Sequence, residues 1–116
     1  MTEETRLIQG KEPGSLNELR VANALDKYKI EYIYQYPIQG GYKVRGGQII
    51  DFLLLHPWSL PLQVFGEYWH EGELRGGATI GLAVLRSIFH REPIVIWGSE
   101  CETQEAADDA VRRKVL

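Results

Sequence analysis

The sequence predicts a single α/β (α+β) domain, a mixed four-stranded sheet flanked by helices in the order α-β-β-β-α-β-α. Two stretches repeat apolar residues at helical spacing, and a third carries a helix cap with charges matched to a helix dipole. Four runs of strand length, rich in β-branched and apolar residues, lie between them, with glycine or proline at the junctions. The 116 residues suffice for one sheet with helices packed on it and are too few for two cores.

Residues 1–14 are polar, lack periodicity and end in Pro13-Gly14, so they are expected to form a flexible tail ahead of a domain spanning 15–116. Ser15-Leu16-Asn17-Glu18 has capping-box spacing, and Leu16, Leu19, Ala22 and Leu25 continue as one helical face, giving a helix over 16–28. Ile30 to Ile38 reads as a strand closed by Gly40-Gly41. After Gly46-Gly47, the run Gln48 to Leu55 reads as a buried strand paired with the first as a hairpin. Pro57 and Pro61 bound a turn, and Leu62 to Phe65 forms a third strand ending at Gly66. Glu67 to Gly77 is glycine-rich and charged, hence a loop. Ile80, Ala83, Val84, Ile88 and Phe89 support a helix over 78–90, and Pro93 to Trp97 is a fourth strand. Thr103 caps a last helix that is acidic early and basic late.

Hydrophobic content of 44% with 25% charged residues is ordinary globular composition, and no stretch is apolar enough to span a bilayer. The start, MTEETRLIQG, has no apolar core and is not a signal peptide, so a cytoplasmic location is expected. The single cysteine, Cys101, excludes an intrachain disulfide and a cysteine-based zinc site. Glu100 and Glu102 flank it, and their charge disfavours a thiolate. No glycine-rich phosphate loop is present. The net charge of −3 counts against tight nonspecific nucleic-acid binding, but clustered metal-binding carboxylates would lower the total while leaving one face basic. Lys43, Arg45 and Arg75, followed by Arg86 and Arg91, could form that face; singly, each is an ordinary solvated charge.

An acidic residue inside an apolar strand is expensive to bury unless something pairs with it. Asp51, between Ile50 and Phe52, is placed that way. After the next strand, Gly66-Glu67-Tyr68-Trp69-His70 gathers a carboxylate and an imidazole beside a glycine. Such a set can hold a divalent cation and a base. A structural reading of Asp51 competes, an ion pair with Lys43 or Arg45 across the hairpin. Trp58, Tyr68, Trp69 and Trp97 fit a core better than base stacking, and His56 and His90 stand at element ends as bystanders.

Gly46-Gly47-Gln48-Ile49-Ile50-Asp51-Phe52, then Val64-Phe65-Gly66-Glu67-Tyr68-Trp69-His70, then Ile94-Val95-Ile96-Trp97 together resemble the PD-(D/E)XK nuclease superfamily. Within it they look most like the very-short-patch-repair endonuclease branch and its phage relatives. The resemblance implies a restriction-endonuclease-like fold and a Mg2+- or Mn2+-dependent DNA endonuclease directed by a nick, mismatch or junction. Asp51 would be the metal ligand, and His70 the histidine that assists attack by water. Glu18 would match the first-helix glutamate of many members, although the capping box accounts for it equally well. The usual E-x-K pair reads Gln63-Val64-Phe65, which lacks both the second carboxylate and the lysine. Glu67 could restore the carboxylate, and the Val64 carbonyl could serve as a main-chain ligand. A homodimer could act on two strands. The competing function is a nuclease fold without catalysis, serving as a DNA-binding or phage assembly module.

Overall fold

The structure, a computed structural model, describes residues 6–41, 47–66 and 77–116. Its elements are α1 (Leu16–Lys27), β1 (Tyr32–Ile38), β2 (Gln48–Leu54), β3 (Leu60–Phe65), α2 (Gly77–Phe89), β4 (Ile94–Trp97) and α3 (Gln104–Val115), with a short 3-10 turn over Gly98–Glu100. The expected order α-β-β-β-α-β-α holds, and so does the mixed four-stranded sheet. β1 to β4 lie side by side in chain order; β1–β2 and β2–β3 are antiparallel, and β3–β4 is parallel through the α2 crossover.

α1 and α3 cover one face of the sheet and α2 the other. On the first face Leu19, Ala22 and Leu25 of α1 and Ala107, Ala110 and Val111 of α3 pack with Tyr32, Tyr34, Phe52, Leu54, Leu62 and Ile96. On the second, Leu85 of α2 meets Ile50 and Leu53, with Ile38, Leu55 and Phe89 at the margin. α1 starts as expected, with Ser15 accepting from the Glu18 N–H. It stops in a Schellman-type turn: Lys29 is left-handed (φ 57), and the N–H groups of Lys29 and Ile30 reach back to the carbonyls of Asp26 and Leu25. Thr103 caps α3 through the Ala106 N–H.

Two expectations are corrected. Segment 1–14, expected to be a flexible tail, is docked onto the domain in its described part. Ile8 is 0% exposed within the main core, and Arg6 reaches Asn23 and Asp26 of α1. The third strand begins at Leu60, so Pro61 lies inside it, opposite Leu53. Proline is tolerated there because β4 pairs with β3 only from Leu62 onward, which leaves Pro61 a neighbour on one side alone. Gly47 is required by close approach, since a Cβ there would stand 2.1 Å from the Gly41 carbonyl oxygen at the mouth of the hairpin. Among the described residues no helix is long and apolar enough to cross a membrane.

Candidate active site

Asp51 occupies the position in β2 where both neighbouring ladders are interrupted. Toward β1, the register runs through Tyr34↔Phe52 and Tyr36↔Ile50, so Gln35 stands opposite Asp51. Gln35 is left-handed, φ 54, a conformation that costs an ordinary residue roughly 1–2 kcal/mol. Toward β3, backbone pairing ends at Phe52↔Leu62. Beyond it side chains take over: the Asp51 N–H donates to Gln63 Oε1 (2.7 Å), and the Val64 N–H donates to Asp51 Oδ2 (2.8 Å).

The interruption also changes which face the side chains take. In an unbroken strand Ile50 and Leu53 would face opposite sides. Here both pack on the α2 side, while Phe52 and Leu54 face α1. The alternation therefore skips a step at Asp51, and its carboxylate comes to the α1 side. There it lines a cleft of about 520 Å³ together with Lys11, Glu18, Gln35, Pro37 and Ile49.

Glu18 reaches the same cleft from the first turn of α1. Its Oε1 accepts from the Tyr34 hydroxyl (2.7 Å), and its Oε2 accepts from the Ser15 hydroxyl (3.1 Å). Tyr34 is 1% exposed, and its oxygen accepts in turn from the Gly14 N–H (2.9 Å). Gly14 leaves room for this carboxylate, since a Cβ there would lie 2.8 Å from Glu18 Oε2. The cap and the cleft-facing role are thus compatible: Ser15 caps the helix while the Glu18 side chain faces Tyr34 and the cleft.

Burial, and then the nearby Glu18 charge, push the Asp51 carboxyl up to about 7, against the opposing hydrogen bond from Val64. Tyr34 is pushed well above the usual tyrosine range, first by burial, with Glu18 adding to the rise and the Gly14 N–H opposing it. Both follow from two acidic groups in one partly desolvated space. Among the described residues Asp51 makes no ion pair. Lys43 and Arg45, the ion-pair partners considered for it, lie outside the described residues, as do Glu67, His70 and Arg75. Val64 meets Asp51 through its N–H.

Three contributors to this site carry no motif in the sequence: Lys11, Tyr34 and Gln35. Tyr34 looks like any aromatic residue in a strand, and nothing marks Gln35 as left-handed. For Lys11 a signal existed, because Gln9-Gly10 after the apolar Leu7-Ile8 is a two-residue turn pattern. The remaining candidates resolve into ordinary contacts. Arg86 pairs with Glu92, Arg91 lies 4.0 Å over the Trp58 ring, and His56 stands 3.2 Å from Glu31. Trp58 is 52% exposed and so is not a core residue, whereas Trp97 packs against Phe65. Cys101 is buried in the main core, and burial more than its acidic neighbours pushes its thiol up to about 11.

Neither protein-family models nor curated proteins match the chain. Among solved structures, the catalytic domain of the homing endonuclease I-Bth0305I is similar, with a TM-score of 0.59 and 20% sequence identity over 86% of this chain and 93% of that domain. At that identity the likeness is one of fold, shared over nearly the whole of both chains.

Proposed function

We propose that the protein is a metal-dependent endonuclease that hydrolyses DNA phosphodiester bonds. We place it in the PD-(D/E)XK superfamily, nearest the very-short-patch-repair branch and its phage relatives. The observation that carries this reading is the convergence of Asp51 and Glu18 on one cleft, where burial pushes the Asp51 carboxyl up to about 7. The likeness in fold to a homing endonuclease catalytic domain supports it.

The described residues suit Mg2+ or Mn2+. Both are hard cations taken by oxygen donors, and Mg2+ commonly keeps several waters and uses one or two protein carboxylates. Asp51 brings one carboxylate, whose Oδ2 also accepts from the Val64 N–H, and Glu18 brings a second. No group of three or more metal-ligating side chains occurs among the described residues, so a fuller shell would draw on Glu67 or the Val64 carbonyl. Bound there, the cation supplies Lewis-acid polarisation of a phosphoryl oxygen.

The chain's own residues do the rest. His70 serves as general base: it takes a proton as a water oxygen attacks phosphorus, and the opposite P–O bond breaks with its electron pair leaving on oxygen. The leaving oxygen takes a proton from solvent, so one product ends in a phosphate and the other in a hydroxyl. Lys43, Arg45 and Arg75 hold the DNA backbone. A domain this small reads a nick, mismatch or junction in preference to a long sequence, and a homodimer would address two strands. We place it in the cytoplasm of its cell or of a phage-infected host.

One observation favours a second reading. Gln63, where a carboxylate is usual, is tied to the Asp51 N–H as a strand clamp, as it would be in a nuclease fold that only binds DNA or serves phage assembly. Calorimetric titration with manganese separates the two. The nuclease reading expects one site, lost in Asp51→Asn; the binding-module reading expects none.

A further inference from the structure

The cleft that holds Asp51 and Glu18 has a third charged side chain, which no motif marks. Lys11 lines the same cleft and is the one cation among its described lining residues. Its ammonium donates to two main-chain carbonyls, Tyr34 (3.3 Å) and Gln35 (3.5 Å). Among the described residues no carboxylate pairs with it.

The position of Lys11 is built. Ile8 and Lys11 exchange both backbone hydrogen bonds, 2.8 and 3.0 Å, around a tight turn in which Gln9 (φ 50) and Gly10 (φ 80) are both left-handed. Ile8 anchors the turn in the core. The Gln9 amide clasps the β1 edge, donating to the Tyr32 carbonyl (2.6 Å) and accepting from the Tyr34 N–H (2.7 Å). The turn therefore covers the free edge of β1 and delivers a lysine beside Gln35, the residue opposite Asp51.

A DNA strand entering this cleft brings a phosphate toward two carboxylates. β3 offers no cation, since its end reads Gln63-Val64-Phe65. We infer that Lys11 is the phosphate-contacting cation of the cleft, supplied by the N-terminal turn to hold the backbone of the bound strand. An exposed ammonium held near two carbonyls by the turn, with no carboxylate partner among the described residues, is suited to that contact. The inference rests on the nuclease reading, and the test keeps the two apart.

The experiment measures binding of a short fluorescein-labelled DNA duplex, and of its single strand, by the full chain in EDTA over a range of salt. Parent, Lys11→Gln, Lys11→Arg and Lys29→Met are compared, Lys29 being an exposed lysine outside the cleft. Glutamine retains a donor for the carbonyls without the charge, and thermal melting checks that the fold is kept. Lys11→Gln is expected to weaken binding several-fold and to reduce the salt slope by about one, with Lys11→Arg and Lys29→Met close to the parent. An unchanged slope and affinity in Lys11→Gln, or a parent that binds neither form of DNA, overturns the proposal. Manganese-dependent cleavage by the parent is read separately: its absence would sink the nuclease reading, while the binding data still decide the role of Lys11.

Discussion

Gln35 stands opposite Asp51 between two regular β1–β2 pairs, and its backbone is left-handed where a strand residue would be extended. The strained residue and the partly buried carboxylate thus share one rung of the sheet. Backbone strain persists where its surroundings over-determine it, commonly at functional sites.

If the kink at Gln35 serves to aim Asp51, relieving the strain and worsening it should have opposite effects on stability. Glycine adopts this conformation freely, so Gln35→Gly should stabilise the fold by up to ~1 kcal/mol. Gln35→Val should destabilise it by at least ~1–2 kcal/mol, because a β-branched side chain is excluded from that region, and it should reduce metal affinity by shifting Asp51. Urea denaturation and manganese titration read both. A valine variant as stable as the parent would mean that the backbone relaxes at no cost.

The raised Asp51 carboxyl sets the sign of a pH effect in metal-free buffer. An unfolded aspartate loses its proton near 3.8, while folded Asp51 keeps it to about 7. Between those values the folded state holds a proton that the unfolded state lacks, so this group's contribution to stability is full below about 4 and is lost as pH rises to about 7. The ceiling on that loss is roughly 4 kcal/mol, and the cleft's partial access to solvent brings the expected value below it. The parent should therefore fall relative to Asp51→Asn over this range, the asparagine variant being the more stable at pH 8. The salt-bridged carboxylates Glu92, Glu100 and Asp109 are common to both proteins and cancel in the comparison. Parallel stability curves for the two proteins would contradict the assignment.

Glu18 has two roles that one substitution separates. Glutamine can still accept from the Tyr34 hydroxyl through its carbonyl oxygen, and its amide N–H can donate to the Ser15 hydroxyl oxygen, so Glu18→Gln should change stability by less than ~1 kcal/mol. Removing the negative charge should lower the Asp51 pKa, followed by NMR, and weaken manganese binding at least ~10-fold. A Glu18→Gln protein with parental metal affinity would leave Glu18 as a helix-cap partner only.

The helices and sheet order were legible because their signals are local and redundant: the Ser15 cap, the apolar face of α1, the Thr103 cap, and the β-branched runs between glycines. Asp51 was legible from burial cost alone. The strand phase at Asp51 was not, since a glutamine on β1 gives no sign that it will be left-handed. The docking of the N-terminal segment was missed for a related reason. It has no periodicity, and its hold on the domain comes from one apolar residue, Ile8, and one amide, Gln9. The start of the third strand at Leu60 was not legible because a proline usually ends a central strand, and only the late start of β4 makes room for Pro61.

The general-base role proposed for His70 predicts a kinetic defect without a binding defect. His70→Ala should cut DNA ~10²–10⁴-fold more slowly while binding manganese as the parent does. Parental cleavage should rise through the histidine titration range, and that rise should vanish in the variant. A near-normal rate with an unaltered pH profile would remove His70 from the mechanism.

The central claim is that Asp51 holds the metal with which this cleft hydrolyses DNA. It is tested most directly by nicking of supercoiled DNA in manganese or magnesium by the parent and by Asp51→Asn, which keeps the size of the side chain and removes its charge. The expected result is metal-dependent nicking by the parent, abolished by EDTA, and a loss of activity to background in Asp51→Asn with the fold intact. Nicking by the asparagine variant at the parental rate, or no metal-dependent nicking by the parent on nicked, mismatched, branched or supercoiled DNA, would contradict it.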